Sequence, residues 1–276
     1  MRVLVVGKAG NVTYWMENVV AAFRGAGHVT GGFSTAGQGR LGRLELSLVK
    51  RLKNHAIPEV IARQFRRALA RFRPELIVFT HAFWGVPLPV YEAAHEYMPR
   101  PPMIGWVGDV FEPEQRAKAR LMDHVFFTDS GFIDDARAYG FPVTLGYLPL
   151  AANPQLFRPG RGQRQAGLIL VANRTPHREA VVDGLAAPLW IYGRGWHHSG
   201  NPQHRLHPHL IGIRRAARLY GRFSTALNII NEQNVRCGLN QRNFEPLAAQ
   251  AALLTEQARD LPRCFEPGRE VLAYAG

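Results

Sequence analysis

Three polar side chains of different chemistry stand close together in the segment GLNQRNFEP (238–246): the amide of Asn240, the guanidinium of Arg242 and the carboxylate of Glu245. Pro246 favours the first position of a helix, so we expect a helix that begins there and turns its free N–H groups towards these side chains. A guanidinium and a helix N-terminus bind phosphate oxygens, and a carboxylate accepts hydrogen bonds from hydroxyl groups. An alternative is purely structural, because a carboxylate can cap a helix and an asparagine can shape a turn.

Apolar runs typical of buried strands alternate with helical patterns along the chain. The runs are RVLVVG (2–7), HVTGGFS (28–34), ELIVFT (75–80), MIGWVG (103–108), HVFFTD (124–129) and VTLGYL (143–148), then, after a linker rich in Pro, Gly and Gln, AGLILVA (166–172), LWIYG (189–193), ALNII (226–230) and AALLT (251–255). Such strands predict parallel sheets covered by helices. We therefore expect an α/β protein of two doubly wound, Rossmann-like domains, 1–150 and 151–276, that face a cleft. Ligands of such sheets bind beyond the carboxyl ends of the strands.

Composition narrows the class of protein. The apolar fraction of 46% is enough for real cores, and no run of about 18 uncharged apolar residues or apolar leader occurs. We therefore expect a cytoplasmic protein. Cys237 and Cys264 have no metal-binding spacing. The five histidines of GWHHSGNPQHRLHPHLIG (195–212) are broken up by prolines, so a variable loop is favoured there over a zinc site.

The net charge of +13 comes mainly from arginine, since four of the 34 basic residues are lysine. Arginine suits bidentate contact with phosphate, which makes an anionic partner plausible. Much of the excess lies in VIARQFRRALARFRP (60–74), an amphipathic helical pattern. A solvated arginine face explains that helix, and nucleic acid or an anionic membrane surface are the alternatives.

Several nucleotide-binding motifs are absent. The loop GKAGN (7–11) lacks the three-glycine dinucleotide fingerprint and the P-loop pattern, although its Gly7 and Gly10 can let backbone approach a phosphate or simply make a tight turn. No D-x-D pair occurs that would clamp a metal ion to a diphosphate. A bound diphosphate would therefore be neutralised by arginines and helix N-termini.

Several segments in sequence order resemble the two-domain, GT-B-fold glycosyltransferases of group 1, and most of all their spore-protein CgeB-like branch. They are LGYLPLAANPQLFRP (145–159), GLILVANRTPHRE (167–179), LWIYGRGW (189–196) and LNIINEQNVRCGLNQRNFEPLAAQAALLTE (227–256), with weaker agreement at WVGD (106–109) and FFTDSGFIDDARAYG (126–140). The resemblance covers nearly the whole chain. Family members usually continue with further helices past the E-x-x-x-Y segment, which is 270–274 in this chain, so we expect a C-terminal domain that is short at its end.

The resemblance implies a nucleotide-diphosphate sugar as donor, bound mainly by the C-terminal domain without a metal or other cofactor, and an acceptor received by the N-terminal domain. It assigns Glu245 to the donor hydroxyls. The other donor-contacting residues that it implies are Arg178, Arg174, Asn173, Gly193, Trp196, Asn240, Arg242 and Phe244, with Gly193 and Trp196 on the nucleobase side. Asp109 and His81, at the ends of N-terminal strands, are the candidates for acceptor activation.

The function that follows is a metal-independent, retaining glycosyltransferase that moves a hexosyl or pentosyl group to an acceptor. The charge favours a polyanionic acceptor, either modified DNA or an envelope glycan. The alternative is a catalytically inactive nucleotide- or nucleic-acid-binding protein of the same fold. The sequence leaves open the donor sugar and base, the acceptor and the oligomeric state.

Overall fold

The computed structural model describes residues 1–10, 14–37, 39–51 and 56–275, so Asn11 of the predicted loop GKAGN lies outside it. The chain divides into two compact units. The first unit comprises Met1–Thr128 and Phe132–Leu148, and the second comprises Asp129–Gly131 and Pro149–Gly276. Each unit is an α/β domain built on one parallel sheet.

The first unit has a six-stranded sheet with the strand order β2-β1-β3-β4-β5-β6. Its strands are β1 (Arg2–Gly7), β2 (Val29–Ser34), β3 (Leu76–Thr80), β4 (Met103–Val107), β5 (His124–Phe127) and β6 (Thr144–Tyr147). Its helices are α1 (Trp15–Gly25), α2 (Gly39–Arg51), α3 (Ile57–Phe72), α4 (Leu88–His95), α5 (Arg116–Ala119) and α6 (Ser130–Ala138), the first two residues of α6 being assigned to the second unit. Strand β1, which pairs with β2 and β3, is buried on both faces at Val3–Val6, as a parallel sheet covered by helices requires.

The second unit repeats this architecture with the strand order β12-β11-β10-β7-β8-β9. Its strands are β7 (Gln165–Val171), β8 (Leu189–Tyr192), β9 (Arg205–His207), β10 (Phe223–Asn228), β11 (Ala252–Glu256) and β12 (Leu272–Tyr274). Its helices are α7 (Pro176–Asp183), α8 (Ile213–Arg222), α9 (Glu245–Ala248) and α10 (Leu261–Cys264). Strands β7 and β10 are hydrogen-bonded neighbours, so their carboxyl ends lie side by side.

Every predicted apolar run overlaps a strand, and the predicted class of two Rossmann-like α/β domains is confirmed. Strands β9 and β12 were not predicted, since each has only three residues and lies at an edge of the sheet. Helix α2 was also missed. The helix expected from Pro246 is a single turn, because Gln250 adopts a left-handed backbone conformation with φ 60° soon after it.

Helix α3 follows the predicted arginine-rich pattern. Phe65 and Leu69 are fully buried one turn apart, and the arginines between them face outwards. The helix starts earlier than predicted because Pro58 occupies its first turn. It ends at Phe72 because Arg73 takes a left-handed conformation, after which Pro74 prevents further helix.

Candidate functional site

A buried network of amide and hydroxyl groups fixes the loop that contains most of the predicted donor residues. Asn228, at the end of β10, donates from Nδ2 to Asn243 Oδ1 and to Thr255 Oγ1, each over 3.1 Å, and Asn243 Nδ2 donates to Thr255 Oγ1 over 2.9 Å. All three side chains are fully buried. Because buried polar groups are costly unless paired, these bonds hold the loop in one conformation.

Asn240 shapes a turn in this loop. Its Oδ1 accepts a hydrogen bond from the Arg242 N–H at 2.9 Å, while Asn243 Oδ1 accepts from the Asn240 N–H at 3.1 Å. The two side chains thus form a capping box around the short helical turn Gln241–Asn243. Asn240 therefore has a structural role here, whatever it does with a ligand.

Glu245 does not cap a helix. It lies in the first turn of α9, whose N-cap residue is Phe244, and no side-chain cap bond is present there. Its side chain is 7% exposed, and none of the described residues donates a hydrogen bond to its carboxyl group. Burial raises the pKa of Glu245 to about 7, against the lowering effect of the nearby Arg242. This carboxyl group therefore titrates near neutral pH.

Arg242 extends from the same loop to the neighbouring strand. Its Nε donates to the carbonyl oxygen of Val171, the last residue of β7, at 2.5 Å. Arg242 therefore lies at the carboxyl ends of β7 and β10, beside Glu245. The sequence predicted this location from the position of the loop after β10.

Arg178 is buried at the same edge of the sheet and is 3% exposed. It belongs to the first turn of α7, where its N–H donates to the capping hydroxyl of Thr175 at 3.3 Å. Its Nε donates to the Ile229 carbonyl at 3.1 Å and its Nη1 to the Asn173 carbonyl at 3.0 Å. Nη2 is buried and has no hydrogen-bond partner among the described residues. Burial, and then the charge of Arg242, lower the pKa of Arg178 to about 10, so it stays protonated at neutral pH.

Glu256, which the sequence analysis did not single out, completes this cluster. Its Oε1 lies 2.7 Å from His177 Nε2, and its Oε2 accepts the Ile230 N–H at 2.8 Å. Arg178 and Glu256 thus bind the two sides of a single peptide group, the one that joins Ile229 to Ile230 just beyond β10. The sequence signal was a single acidic residue at the carboxyl end of a strand, which is too weak to select it.

A cavity of about 330 Å³ opens between the loops that follow β10 and β11. It is lined by Ile230, Glu232, Val235, Arg236, Cys237, Gly238, Glu256, Gln257, Ala258 and Arg259. The loop around it is held by Asp129, whose carboxylate accepts the N–H groups of Arg236 at 2.8 Å and Cys237 at 2.9 Å. The cavity combines arginine and glutamate side chains, yet none of the residues predicted as site residues lines it.

The two residues predicted on the nucleobase side pack into the fold. Trp196 is fully buried and donates from Nε1 to the Ala172 carbonyl at 2.8 Å, so it offers no surface on which a base can stack. A Cβ at Gly193 would lie 1.9 Å from the same carbonyl oxygen. This close approach explains the glycine without any ligand. The predicted contact of Trp196 with a nucleobase is therefore not supported by its position.

Three other predicted donor residues are held by neighbours within the second unit. Arg174 forms a two-pronged ion pair with Glu179, and the Asn173 Oδ1 accepts the Arg194 N–H at 3.0 Å. Phe244 packs against Phe265 with ring centroids 5.2 Å apart. Their assignment to donor binding stays a prediction.

In the first unit, His81 and Asp109 come together beyond β3 and β4. His81 Nδ1 lies 3.4 Å from Asp109 Oδ2, and the imidazole stacks on Trp15 with ring centroids 3.8 Å apart. His81 Nε2 is buried without a partner among the described residues. His81 also has a left-handed backbone with φ 51°, a strained conformation for a residue with a Cβ. Asp109 is therefore the more accessible of the two groups, and His81 is placed to orient it.

The glycines of the first loop have structural explanations. A Cβ at Gly7 would lie 2.2 Å from Thr80 Oγ1 on the neighbouring strand. Gly10 has φ 71°, and its N–H donates to Glu17 Oε1 at 2.6 Å. The φ of Gly10 fits the tight-turn interpretation, Gly7 is explained by its close approach to the neighbouring strand, and a phosphate contact stays a prediction.

Two further features bear on the predicted classes. Within the described ranges, no group of three or more His, Cys, Asp and Glu side chains is placed to hold a metal ion. The helices of the described chain also lack the length and apolar content that a membrane crossing requires.

The comparisons with known proteins agree with this architecture. Residues 169–276 match the family model "Glycosyl transferase-like". No curated protein matches the chain. Similar solved structures include an α,α-trehalose-phosphate synthase (UDP-forming) from Burkholderia vietnamiensis, with a TM-score of 0.59 and 12% identity over 99% of this chain and 86% of that one. The apo lipopolysaccharide outer core galactosyltransferase WaaB has a TM-score of 0.56 and 12% identity over 100% and 86%.

A third similar structure is the UDP-GlcNAc 2-epimerase from Neisseria meningitidis bound to UDP-GlcNAc, with a TM-score of 0.55 and 12% identity over 92% of this chain and 82% of that one. This neighbour is an epimerase, so the shared architecture does not by itself fix the reaction. The chain has the GT-B fold, and its C-terminal half carries the match to a glycosyl transferase-like family.

Proposed function

We propose that this protein is a glycosyltransferase that takes a sugar from a nucleotide-diphosphate donor. One observation carries the proposal. Within the region that matches the glycosyl transferase-like family, two arginines and a buried carboxyl group meet at the carboxyl ends of β7 and β10, where ligands of doubly wound sheets bind. The expectation came from Arg178, Arg242 and Glu245 in the sequence, and their proximity supports it.

The donor diphosphate is proposed to bind the arginines of this edge. Nη2 of Arg178 is a charged N–H group without an acceptor among the described residues, and an oxygen of a diphosphate would satisfy it. Since Nη2 lies below the surface, a small side-chain displacement must accompany binding. Arg236 and Arg259, which line the cavity together with Glu256, add further positive charge.

Glu245 is proposed to accept hydrogen bonds from hydroxyl groups of the donor. A carboxyl group that is mostly buried and accepts no bond from the described residues gains most from such partners. The bonds would favour its ionised form and lower its pKa from about 7. Binding and ionisation are therefore coupled at this residue.

These groups suit the charge changes of glycosyl transfer. Negative charge grows on the departing diphosphate while the sugar becomes cationic, so arginines fixed before the reaction stabilise the transition state with little reorganisation. The protein need supply no nucleophile for this, and we assign none. We further propose that transfer needs no metal ion and retains the anomeric configuration.

Asp109 is proposed to accept the proton of the acceptor hydroxyl, with His81 as its positioning residue. The 3.4 Å separation of His81 Nδ1 and Asp109 Oδ2 allows the ring to orient the carboxylate, while the buried Nε2 is not open to an acceptor. The acceptor itself is proposed to be polyanionic, either modified DNA or an envelope glycan, because of the net charge of +13.

Calorimetric titration with UDP-, GDP- and TDP-sugars, followed by assays of donor hydrolysis and transfer, tests the proposal. We expect micromolar to millimolar binding of one donor class and slow release of nucleoside diphosphate. Absence of binding to every donor would sink the proposal. Binding without turnover would favour a non-catalytic nucleotide-binding protein, and interconversion of the sugar without release of the nucleotide would indicate an epimerase. Chelation with EDTA should leave transfer unchanged, and NMR of the product reads its anomeric configuration.

A further inference from the structure

Helix α2 turns three leucines towards solvent. Leu41, Leu44 and Leu48 are 83%, 58% and 51% exposed, and their spacing of three and four residues puts them on one face of the helix. Single exposed leucines are ordinary, but a row of three along about 10 Å of helix is a contiguous apolar patch. Such patches mark surfaces that bind something.

The opposite face of α2 is fixed to the first unit. Leu46 is buried in the core, and Gly42 lies against Gln64 of α3, whose Nε2 donates to the Gly42 carbonyl at 3.2 Å. Glu45 is bonded by Arg63 and by Gln64 Nε2 at 2.7 Å. Helix α2 therefore cannot turn its leucines inwards without breaking these contacts, and the row stays outside.

The charges around the row are positive. Arg40, Arg43 and Arg51 are exposed on α2, while Glu45, the one acidic residue of the helix, is occupied by its bonds to α3. Its hydrogen bonds with Gln64 and Arg63 lower the pKa of Glu45, so it stays ionised and paired. The outer face of α2 thus combines exposed leucines with arginines that no acidic side chain of the described residues pairs, a combination that fits a surface both apolar and anionic.

We propose that this face, Leu41, Leu44 and Leu48 with Arg40 and Arg43, binds the surface of an anionic lipid bilayer. The leucines enter the boundary between headgroups and acyl chains, and the arginines pair with lipid phosphates. A second copy of the chain fits less well, since pairing two such faces brings arginines against arginines over an area far below the roughly 800 Å² per partner of a stable interface. The face is a convex helix, and a flat bilayer needs no groove to meet it.

Co-sedimentation of the full chain with vesicles tests this proposal independently of donor chemistry. One set of vesicles is phosphatidylcholine alone, and the other is equal parts phosphatidylcholine and phosphatidylglycerol. We expect the protein to sediment with the anionic vesicles, and to be released when salt is raised from about 50 to about 500 mM, because screening weakens the arginine contacts. Failure to bind anionic vesicles at low salt overturns the proposal.

Two variants with matched controls locate the contact. We expect the triple variant Leu41→Ser, Leu44→Ser, Leu48→Ser to lose at least about tenfold in affinity, since each leucine withdrawn from lipid removes apolar burial. The control Leu210→Ser, Leu272→Ser removes exposed leucines of the second unit and should bind within about twofold of wild type. Circular dichroism and melting curves check that both variants fold.

A second pair of variants tests the contribution of the arginines. Arg40→Gln with Arg43→Gln should weaken binding about tenfold or more, because each arginine near an anionic surface adds to the electrostatic attraction. Arg214→Gln with Arg218→Gln on α8 removes the same charge elsewhere and should have a smaller effect. Equal losses in both pairs would place the contact outside α2, and a dimer seen by sedimentation velocity that the triple variant dissociates would assign the face to a second copy. Either result overturns the proposal.

Discussion

Replacing Glu245 by glutamine should stabilise the protein and impair donor binding at the same time. Burial raises the pKa of Glu245 from its ordinary value of 4.5 to about 7. At about 1.36 kcal/mol per pH unit, this change corresponds to about 3 kcal/mol that the folded state loses when the carboxyl group ionises. Glutamine has the shape of the protonated form and avoids that loss.

The sign of the effect gives it a pH window. Below pH 4.5 the carboxyl group is protonated in both folded and unfolded chains, so wild type and variant should differ little. Between pH 4.5 and about 7 the folded state keeps a proton that the unfolded state has lost, so the stability of wild type falls relative to the variant as pH rises. Above pH 7 the difference should level off at about 3 kcal/mol, or roughly 6 to 12 °C in melting temperature.

Urea unfolding of wild type, Glu245→Gln and the surface control Glu114→Gln across pH 4 to about 8.5 measures this window. The control changes charge equally at an exposed position. Titration of both variants with the donor that wild type binds completes the test, and we expect Glu245→Gln to lose at least about tenfold in affinity. A variant that is no more stable than wild type at pH 8 would refute the desolvation argument. A variant that binds donor as tightly as wild type would refute the contact.

Three further substitutions separate structural from ligand-binding roles. Arg178→Lys should weaken binding of a nucleoside diphosphate about tenfold while leaving the nucleoside unaffected, as calorimetry with each would show, because the single nitrogen of an ammonium group lacks the planar fork with which the guanidinium contacts two carbonyls from separate nitrogens and keeps a third for phosphate. Gly193→Ala should destabilise the second unit by about 1–3 kcal/mol, visible as a lower melting temperature, because its Cβ would overlap the Ala172 carbonyl. Asn243→Ala should cost about 2 kcal/mol in urea unfolding, since Asn228 and Thr255 lose a buried partner, and an unchanged midpoint would contradict the network.

The sheets were predictable because parallel strands that are buried on both faces have apolar residues at consecutive positions. The search for apolar runs does not detect strands such as β9 and β12, because a three-residue edge strand forms through pairing with its neighbour and has too few residues to show a pattern. Helix α2 was not predicted from the sequence either. Its outward leucines break the rule that apolar residues mark the buried face, so the pattern that predicts a core helix does not describe it.

The site was predictable by chain position and not by contact. Arg178, Arg242 and Glu245 could be placed at one edge because they follow strands whose carboxyl ends must meet there. The position of Trp196 could not be predicted from the sequence. An aromatic residue after a strand can stack on a nucleobase or pack in the core, and the structure shows that Trp196 is buried in the core. Glu256 was not selected from the sequence, although it belongs to the site. Its bonds to His177 and Ile230 form only in the folded chain, and no local sequence pattern predicts them.

Arg178 has both a structural role and a proposed ligand-binding role at the carboxyl ends of β7 and β10. Two of its nitrogens hold the Ile229 and Asn173 carbonyls, so the fold would need an arginine here even without a ligand. Its third nitrogen, Nη2, has no acceptor within the described chain, and no packing requirement explains leaving a buried charged N–H group unpaired. A structural arginine would be expected to find a partner for that group or to expose it to water. An unpaired nitrogen on Arg178 is what we expect of the proposed site, where an oxygen of an anionic ligand such as a nucleotide-diphosphate sugar would accept its hydrogen bond.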